Sequence, residues 1–415
     1  MIKFRPFRGV RPAKQKAASF TTKNVDYYLK DEIEKEMATN AESFLHVIMP
    51  SVGDSSQSKD ERLDEVRNNF EQFLSDEILL RDNKSYYIYE QEDDNEITTI
   101  GILGAVSVDD YNNGLIKKHE DTIEEREIRF AEYLKKIQIQ ADPIMLTFPE
   151  NQNIELLMSM TTRTTPILEF KGVDGKTHRL WQVKDRLVMK QMKMAIEKLP
   201  ALYIADGHHR MGSSAIFTEH MREMEPDFFG GEAFNYVMAI LVPGNHLNIY
   251  DYNRVVKDLN GMEPGEFLKK IEEVFTIIEK DEVPYFPTHK HHISMYLDGK
   301  FYGLYVNQEL RGVPKGLGEL DTYLWEENLM KPLLGVDNIR TNKRVGFVKG
   351  TGDVRGIIKM KEKVDSGEYK VGFGFYPISV NDLLLVADEG LVMPPKSTYI
   401  EPKFLSALTI LDLND

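Results

Sequence analysis

The chain alternates short apolar runs with longer stretches in which apolar residues recur every three or four positions. Short apolar runs predict buried strands, and the longer recurrence predicts helices with one buried face. Paired strands are predicted at 86–92 and 98–108, because both runs are rich in aromatic and β-branched residues. The acidic stretch 93–95 is the expected hairpin turn between them.

The same patterns predict the remaining elements. In a helix at 123–139, the spacing of Phe130, Tyr133, Leu134 and Ile137 predicts one buried face. Helices and strands that alternate favour an α+β or α/β chain, and we predict α+β. The other predicted elements are helices at 31–40, 59–80, 264–274 and from 185, strands at 144–148, 202–205 and 236–242, and hairpins near 173–175 and 291–305.

Composition narrows the class of protein. A formal net charge of −15 over 415 residues repels nucleic acid and anionic membrane, so neither is an expected partner. The absence of cysteine excludes disulfides, thiolate metal sites and cysteine nucleophiles. No apolar run approaches the ~20 residues of a transmembrane helix, and the N-terminus lacks a signal-peptide pattern. We therefore expect a cytoplasmic protein.

The stretch 202–217 concentrates the most chemistry at one point. An apolar run that predicts a buried strand leads directly into a predicted helix, and a strand-to-helix turn presents free backbone N–H groups to an anion. Asp-Gly is also a common surface turn, but the full combination favours a phosphate site. The residues at this turn are Asp206, Gly207, His208, His209 and Arg210.

A second cluster precedes the predicted helix at 123–139. His119 and Glu120 lie in front of it, where Glu120 has the chemistry of a general base. Asp121 and Thr122 have a simpler explanation as helix N-cap residues.

Two further candidates lie in the C-terminal half. Lys396, Ser397 and Thr398 follow two prolines and could bind an anion, or could form an exposed basic loop. Lys403, after Pro402, could join them. Arg254 is a candidate anion contact, although an ordinary surface role is as plausible for an arginine.

Metal and nucleotide motifs are sparse in the sequence. No His-Glu-x-x-His pattern supports zinc, and no P-loop, Rossmann glycine pattern or protein-kinase loop occurs. Magnesium that bridges a phosphate to Asp206 or Glu120 is the expected cofactor, because magnesium favours few carboxylates together with substrate oxygens.

The motifs resemble those of a prokaryotic family of unknown function that is marked by Ala-Asp-Gly-His-His-Arg. The similarity covers nearly the whole chain and is carried by residues 4–8, 43–47, 89–92, 118–122, 205–210 and 393–398. The chain departs from that family at 19–25, where the family usually carries Pro-Pro-Tyr-Asp-Val.

The order His119-Glu120, helix, then Asp206 to Arg210 also resembles that of free L-serine kinases of the ParB/sulfiredoxin-like superfamily. This resemblance implies a ParB/sulfiredoxin-like core at 111–245, with an N-terminal α/β region at 1–110 and a C-terminal α+β region at 246–415. It implies Glu120 as the base, Asp206 and His208 in catalysis, and pyrophosphate-dependent phosphorylation of serine. The substrate contacts would be His119, Thr122 and Arg254, and Lys396, Ser397 and Thr398 would hold phosphate or the serine carboxylate.

Two other functions stay open at this point. One is a ParB-like nucleotide or nucleic-acid binding module without catalysis, and the other is a phosphoserine phosphatase. The sequence does not choose between pyrophosphate, ADP and ATP as donor, although no aromatic sandwich for an adenine base is evident.

Overall fold

A computed structural model describes residues 1–49 and 59–415. Within them, the α-helices are α1 (Ala17–Phe20), α2 (Lys30–Thr39), α3 (Leu45–Ile48), α4 (Lys59–Ser75), α5 (Val108–Asn112), α6 (Glu124–Ile137), α7 (Gln152–Thr162), α8 (Arg186–Ile196), α9 (His208–Met224), α10 (Pro264–Glu272), α11 (Asp321–Trp325), α12 (Val354–Asp365) and α13 (Val380–Asp388).

The strands of the described chain are short. They are β1 (Phe4–Arg5), β2 (Gly9–Pro12), β3 (Leu79–Arg81), β4 (Tyr86–Glu92), β5 (Thr98–Ser107), β6 (Ile116–Lys117), β7 (Ile139–Gln140), β8 (Ile144–Phe148), β9 (Leu168–Lys171), β10 (Thr177–Val183), β11 (Leu202–Asp206), β12 (Tyr236–Pro243), β13 (Asn248–Tyr250), β14 (Tyr252–Val256), β15 (Phe275–Glu279), β16 (His292–Leu297), β17 (Lys300–Val306), β18 (Val345–Lys349), β19 (Val371–Phe375), β20 (Tyr399–Glu401) and β21 (Ile410–Asp412).

The chain forms two compact units. Unit 1 comprises Met1–Lys117, Thr122–Leu247 and Pro402–Asp415, and unit 2 comprises Lys118–Asp121 and Asn248–Glu401. The second segment of unit 1 ends at Leu247, and strands on both sides of residue 110 hydrogen-bond in one sheet. The domain bounds at 110 and 245 stay a prediction.

Unit 1 is built on a nine-stranded mixed sheet. Its strand order is β6-β11-β8-β12-β5-β4-β10-β9, and β1 pairs with β5. The strands β8, β11 and β12 are almost wholly apolar and buried, because they contribute to one hydrophobic core. A second sheet of unit 1, β3-β2-β21-β7, includes the C-terminal strand β21 as an inner strand.

Unit 2 contains a six-stranded sheet in the order β15-β17-β16-β19-β14-β18 and a separate pair, β13 and β20. The strands of the larger sheet are all antiparallel. One of its faces contributes to a core that contains Trp325 and Phe373, and the other packs around Ile357 and Met360 of α12. The result is a mixed α/β protein with several sheets.

Most predicted elements are present. The strands at 86–92 and 98–108 pair antiparallel as β4 and β5, and Asp93 accepts hydrogen bonds from the N–H groups of Asn95 and Ile97 in the turn. The strands at 144–148, 202–205 and 236–242 correspond to β8, β11 and β12. In the part of the chain that the structure describes, no helix is long and apolar enough to span a membrane.

Two predictions were wrong in detail. The predicted helix at 59–80 ends at Ser75, because Glu77 takes a left-handed φ of 56° and Leu79–Arg81 then pairs with β2. Phe130, predicted on the buried face of α6, is 37% exposed, whereas Ala131 and Ile137 are buried. The apolar spacing therefore located the helix but not all of its buried face.

Candidate functional site

The turn between β11 and α9 brings the central motif together in unit 1. The apolar residues of β11 are buried, and Asp206 ends the strand. Gly207 has a left-handed φ of 96°, and a Cβ atom here would lie 2.9 Å from Nε and Nη2 of Arg210. Glycine is therefore the residue that this close turn requires. The 17-residue helix α9 begins at His208.

Asp206 is held between two cations. Lys403 Nζ donates to its Oδ1 at 2.6 Å, and Arg210 Nη2 donates to its Oδ2 at 2.8 Å. Burial alone would raise the pKa of Asp206, but the charges of Lys403 and Arg210 outweigh it and lower the pKa to about 2. Asp206 is therefore an ionised carboxylate at neutral pH, and it is not suited to act as a general base.

The N-terminus of α9 differs from those of the two preceding long helices. The side chains of Asn151 and Asp185 accept hydrogen bonds from the first N–H groups of α7 and α8. Gly207 has no side chain with which to cap α9, so its first N–H groups lack intrahelical acceptors. Arg210 Nε is also buried without a hydrogen-bond partner among the described residues. The turn thus presents backbone and guanidinium donors together, as an anion site requires.

The two histidines of the motif have different surroundings. His208 is 6% exposed, at the start of α9. His209 Nε2 accepts a hydrogen bond of 3.1 Å from the N–H of Ile123, which precedes α6. This contact occupies the Nε2 lone pair, so the hydrogen of the ring lies on Nδ1. Thr122, half-buried, is the neighbour of Ile123 in this unit.

The predicted base, Glu120, lies in the short segment Lys118–Asp121, which belongs to unit 2. The N–H of Met393 donates to the carbonyl oxygen of His119 at 2.9 Å, and Arg340 Nη1 donates to that of Asp121 at 3.3 Å. These bonds fix the backbone on both sides of Glu120, whose side chain is half-buried. The backbone that carries Glu120 is therefore held within unit 2 from both sides.

Arg254 is not an ordinary surface arginine. Its side chain is fully buried, donates from Nη1 to the carbonyl oxygen of Tyr252 at 2.8 Å, and donates from Nη2 to those of Pro395 and Lys396 at 3.2 and 3.3 Å. Its guanidinium carbon lies 4.7 Å from the ring centroid of Phe375. Burial lowers its pKa to about 9. Arg254 therefore supports the backbone of the loop at 394–398.

The loop at 394–398 presents its polar groups unevenly. Ser397 is buried, and its hydroxyl donates to the carbonyl oxygen of Pro394 at 2.7 Å and lies 3.1 Å from Thr322 Oγ1. Lys396 is exposed in a left-handed conformation with φ 56°, and Thr398 is half-buried. Anion binding by this loop stays a prediction, which Lys396 suits better than Ser397.

One contact of the site was not predicted from the sequence. Lys403, which the sequence grouped with Lys396, pairs with Asp206, 197 residues away. Only its position after Pro402, close to other polar residues, set this lysine apart in the sequence.

The residues at the turn do not fit a magnesium ion on Asp206. Both carboxylate oxygens already accept bonds from cations. Among the described residues, no group of three or more histidine, aspartate or glutamate side chains could hold a metal ion. We therefore derive no step through magnesium at Asp206.

A family model described as "Protein of unknown function (DUF1015)" matches residues 4–323. No curated protein sequence matches the chain significantly. Solved structures that resemble it include a free serine kinase in complex with AMP, with 13% identity, a TM-score of 0.33, and coverage of 72% of this chain and 87% of that one.

Two other similar structures have comparable scores. One is a conserved hypothetical protein from Pyrococcus furiosus, with 13% identity, a TM-score of 0.33, and coverage of 75% and 95% of the two chains. The other is SbnI with a C-terminal truncation from Staphylococcus aureus, with 12% identity, a TM-score of 0.37, and coverage of 74% and 87%. Similarities of this size add nothing to the geometry above.

Proposed function

Because the chain belongs to the DUF1015 family, whose description assigns no activity, we propose a function from its own residues: transfer of a phosphoryl group to the hydroxyl of a small molecule. The observation that carries this proposal is the turn after β11. Its uncapped helix N-terminus, Arg210 and Lys403 concentrate positive charge and N–H donors around the partly exposed end of one strand.

We propose free L-serine as the acceptor and pyrophosphate as the donor. Both follow from the motif order that resembles free L-serine kinases, with Glu120 before α6 and the Asp-Gly-His turn after β11. Pyrophosphate has no base that needs an aromatic sandwich, which agrees with the lack of an evident one in the sequence. ADP and ATP are the alternative donors.

Glu120 is proposed to accept the proton. Along the chain, two residues separate it from Ile123, whose N–H contacts His209. The serine Oγ attacks the terminal phosphorus, its proton passes to Glu120, the new O–P bond forms, and the bridging O–P bond breaks to release inorganic phosphate.

The turn is proposed to stabilise the charge that develops in this step. The N–H groups at the start of α9 and the guanidinium of Arg210 donate to phosphate oxygens, and His209 is proposed to contact the same phosphate. The role of Asp206 is to orient Arg210 and Lys403, since its own pKa is too low for proton transfer. His208 is buried behind the first turn of the helix.

The direct experiment incubates the purified protein with magnesium and L-serine together with pyrophosphate, ADP or ATP, one donor at a time. O-phosphoserine is measured by mass spectrometry. Product with pyrophosphate alone supports the proposal in full, and product with a nucleotide alone changes the donor. The same incubations with EDTA test the magnesium prediction separately.

A matched pair of variants tests the base. Glu120→Gln should lower turnover by about 100-fold or more, because the step loses its proton acceptor. Glu124→Gln removes a carboxylate of the same type from the exposed first turn of α6, and it should keep the wild-type rate. Equal rates for the two variants would remove Glu120 from the mechanism.

The two other functions give different results. Release of phosphate from O-phosphoserine without an acceptor would identify a phosphatase. Absence of product with every donor, together with binding of a nucleotide or of nucleic acid at physiological salt, would favour a ParB-like binding module.

A further inference from the structure

Two lines of hydrogen bonds lead from one surface hairpin of unit 1 to the backbone around Lys403. The hairpin joins β9 and β10, and its turn contains Asp174 and Lys176. Neither line includes a residue used in the mechanism above. Each ends on a main-chain group within two residues of the lysine that binds Asp206.

The first line passes through Tyr89. Asp174 Oδ1 lies 2.9 Å from His178 Nε2, and His178 Nδ1 lies 2.8 Å from the Tyr89 hydroxyl oxygen. That oxygen accepts a bond of 3.4 Å from the N–H of Leu405. Tyr89 and His178 are 1% and 0% exposed. The ring of Phe404 packs on Tyr89 with 4.9 Å between centroids.

The protonation states determine which group donates and which accepts in each hydrogen bond of the first line. Burial raises the pKa of Tyr89, so its hydroxyl keeps its proton. Burial acts to raise the pKa of Asp174 as well, but the contact with His178 outweighs it and lowers that pKa, so the carboxylate is ionised. His178 therefore donates from Nε2 to Asp174 and accepts at Nδ1 from Tyr89, whose oxygen remains available to Leu405.

The second line passes through Gln91. With its amide oriented to satisfy both neighbours, the Gln91 nitrogen donates to the Lys403 carbonyl oxygen at 3.1 Å, and its oxygen accepts from Lys176 Nζ at 2.6 Å. Gln91 is 2% exposed. A hydrogen bond at each end therefore holds the Gln91 amide in one orientation.

The strand register makes both lines possible. Tyr89 and Gln91 are two positions apart on β4 and share one face, and His178 of β10 is the partner of Gln91 across the strands. A Cβ atom on Gly172 would lie 2.6 Å from His178 Nε2, so glycine leaves room for the ring beside the turn.

We propose that the β9–β10 hairpin positions Lys403 for the phosphate turn, with Tyr89, Gln91 and His178 as positioning residues. This inference rests on the proposed function for its effect on catalysis, but the positioning itself does not. Without these bonds, the backbone at 403–405 loses two of the hydrogen bonds that hold Lys403 in position to contact Asp206.

The test combines Tyr89→Phe with Lys403→Met in a double-mutant cycle, measured as the affinity for inorganic pyrophosphate by calorimetry. Tyr89→Phe should weaken binding about fivefold in the wild-type background, the effect of one lost hydrogen bond. It should have no effect beside Lys403→Met, because the residue that it positions is then absent. Gln91→Met should behave in the same way through the other line.

Tyr87→Phe is the matched control. Tyr87 is a buried tyrosine on the same face of β4, but its hydroxyl donates to Asp82 and not to the segment 403–405. It should leave pyrophosphate affinity unchanged. Weakening by Tyr89→Phe that persists beside Lys403→Met, or an equal loss in Tyr87→Phe, would overturn the proposal.

NMR titration of the Asp206 carboxyl in labelled protein separates the two hypotheses. Its pKa should rise from about 2 towards its ordinary value in Lys403→Met, and partway in Tyr89→Phe and Gln91→Met. If the Asp206 pKa shifts in this way but neither the wild type nor any variant binds pyrophosphate, the positioning is supported and the phosphate site is overturned. An Asp206 pKa that is unchanged in both positioning variants would overturn the positioning, whether pyrophosphate binds or not.

Discussion

Arg210 and Arg254 were both predicted as anion contacts, and the structure gives them opposite environments. Arg210 lies at the start of a helix, is partly exposed, and shares the carboxylate of Asp206 with Lys403. Arg254 lies inside a strand, is fully buried, and donates from Nη1 and Nη2 to three carbonyl oxygens. The same residue type therefore serves a ligand site in one region and the backbone of a loop in the other.

The electrostatics follow from these positions. Burial lowers the pKa of Arg254 to about 9, with Glu326 and Asp251 acting against it at longer range. At the turn after β11, by contrast, two cations surround one acid, so the net charge there is positive. An anion is favoured at the turn, whereas Nη1 and Nη2 of Arg254 already donate to carbonyl oxygens and its Nε alone lacks a partner among the described residues.

The largest expected effect is on catalysis at the turn. Arg210→Met should lower phosphoryl transfer by about 100- to 1000-fold, because a charged donor to the transferred group is lost. The free energy of unfolding should change much less, since the side chain is about a third exposed. Initial rates and urea unfolding of the same preparations check this. A rate close to wild type would break the distinction between the two arginines.

The next largest effect is on stability in unit 2. Arg254→Met should lower the free energy of unfolding by about 3 kcal/mol, because buried carbonyl oxygens lose their donors. Urea unfolding measures this, with exposed Arg355→Met as a control that should change it little. If the folded Arg254→Met protein also loses turnover, Arg254 acts in the reaction through the loop at 394–398 or by direct contact, and the distinction between the two arginines fails.

A pair of glycines sharpens the geometry of the turn. Gly207→Ala and Gly299→Ala both place a side chain at a left-handed φ, which costs about 1 to 2 kcal/mol of unfolding free energy. Only at Gly207 does the new Cβ meet Arg210, whereas nothing lies within 4 Å at Gly299. Activity should therefore fall about tenfold or more in Gly207→Ala alone. Equal activities would show that the close approach is unimportant.

The smallest effect concerns acid stability. The folded pKa of Asp206, about 2, lies below the unfolded value of ~3.9, so its ionised form stabilises the fold above about pH 4. This contribution should disappear as the pH falls from about 4 to 2. The difference in unfolding free energy between wild type and Asp206→Asn, measured across that range, should shrink accordingly. A difference that is independent of pH would contradict the ion pairs at the turn.

Local patterns predicted the parts of the fold that depend on neighbouring residues. A few consecutive residues predicted the hairpin of β4 and β5, and a few others predicted the turn from β11 to α9. The order of strands in the nine-stranded sheet has no such local signature, because it depends on pairing between distant segments. The same holds for β3, which follows a helix whose polar and apolar spacing gives no sign of its end at Ser75.

The site divides in the same way. The residues of the turn, from Asp206 to Arg210, are adjacent in sequence and were found together. Lys403 contacts Asp206 across 197 residues, and the Tyr89–His178 contact spans 89, so neither leaves a spacing that a sequence pattern could reveal. Partners of a functional residue are therefore harder to predict than the residue itself.

The division of unit 1 among three stretches of chain has a consequence for biosynthesis. Residues 402–415 supply Lys403 and the inner strand β21, and both follow the whole of 248–401 in the order of translation. A nascent chain that has emerged only to residue 247 holds Asp206 and Arg210 but neither Lys403 nor the strand between β2 and β7. Unit 1 therefore completes its second sheet and its charge balance only after the ribosome has made all of unit 2.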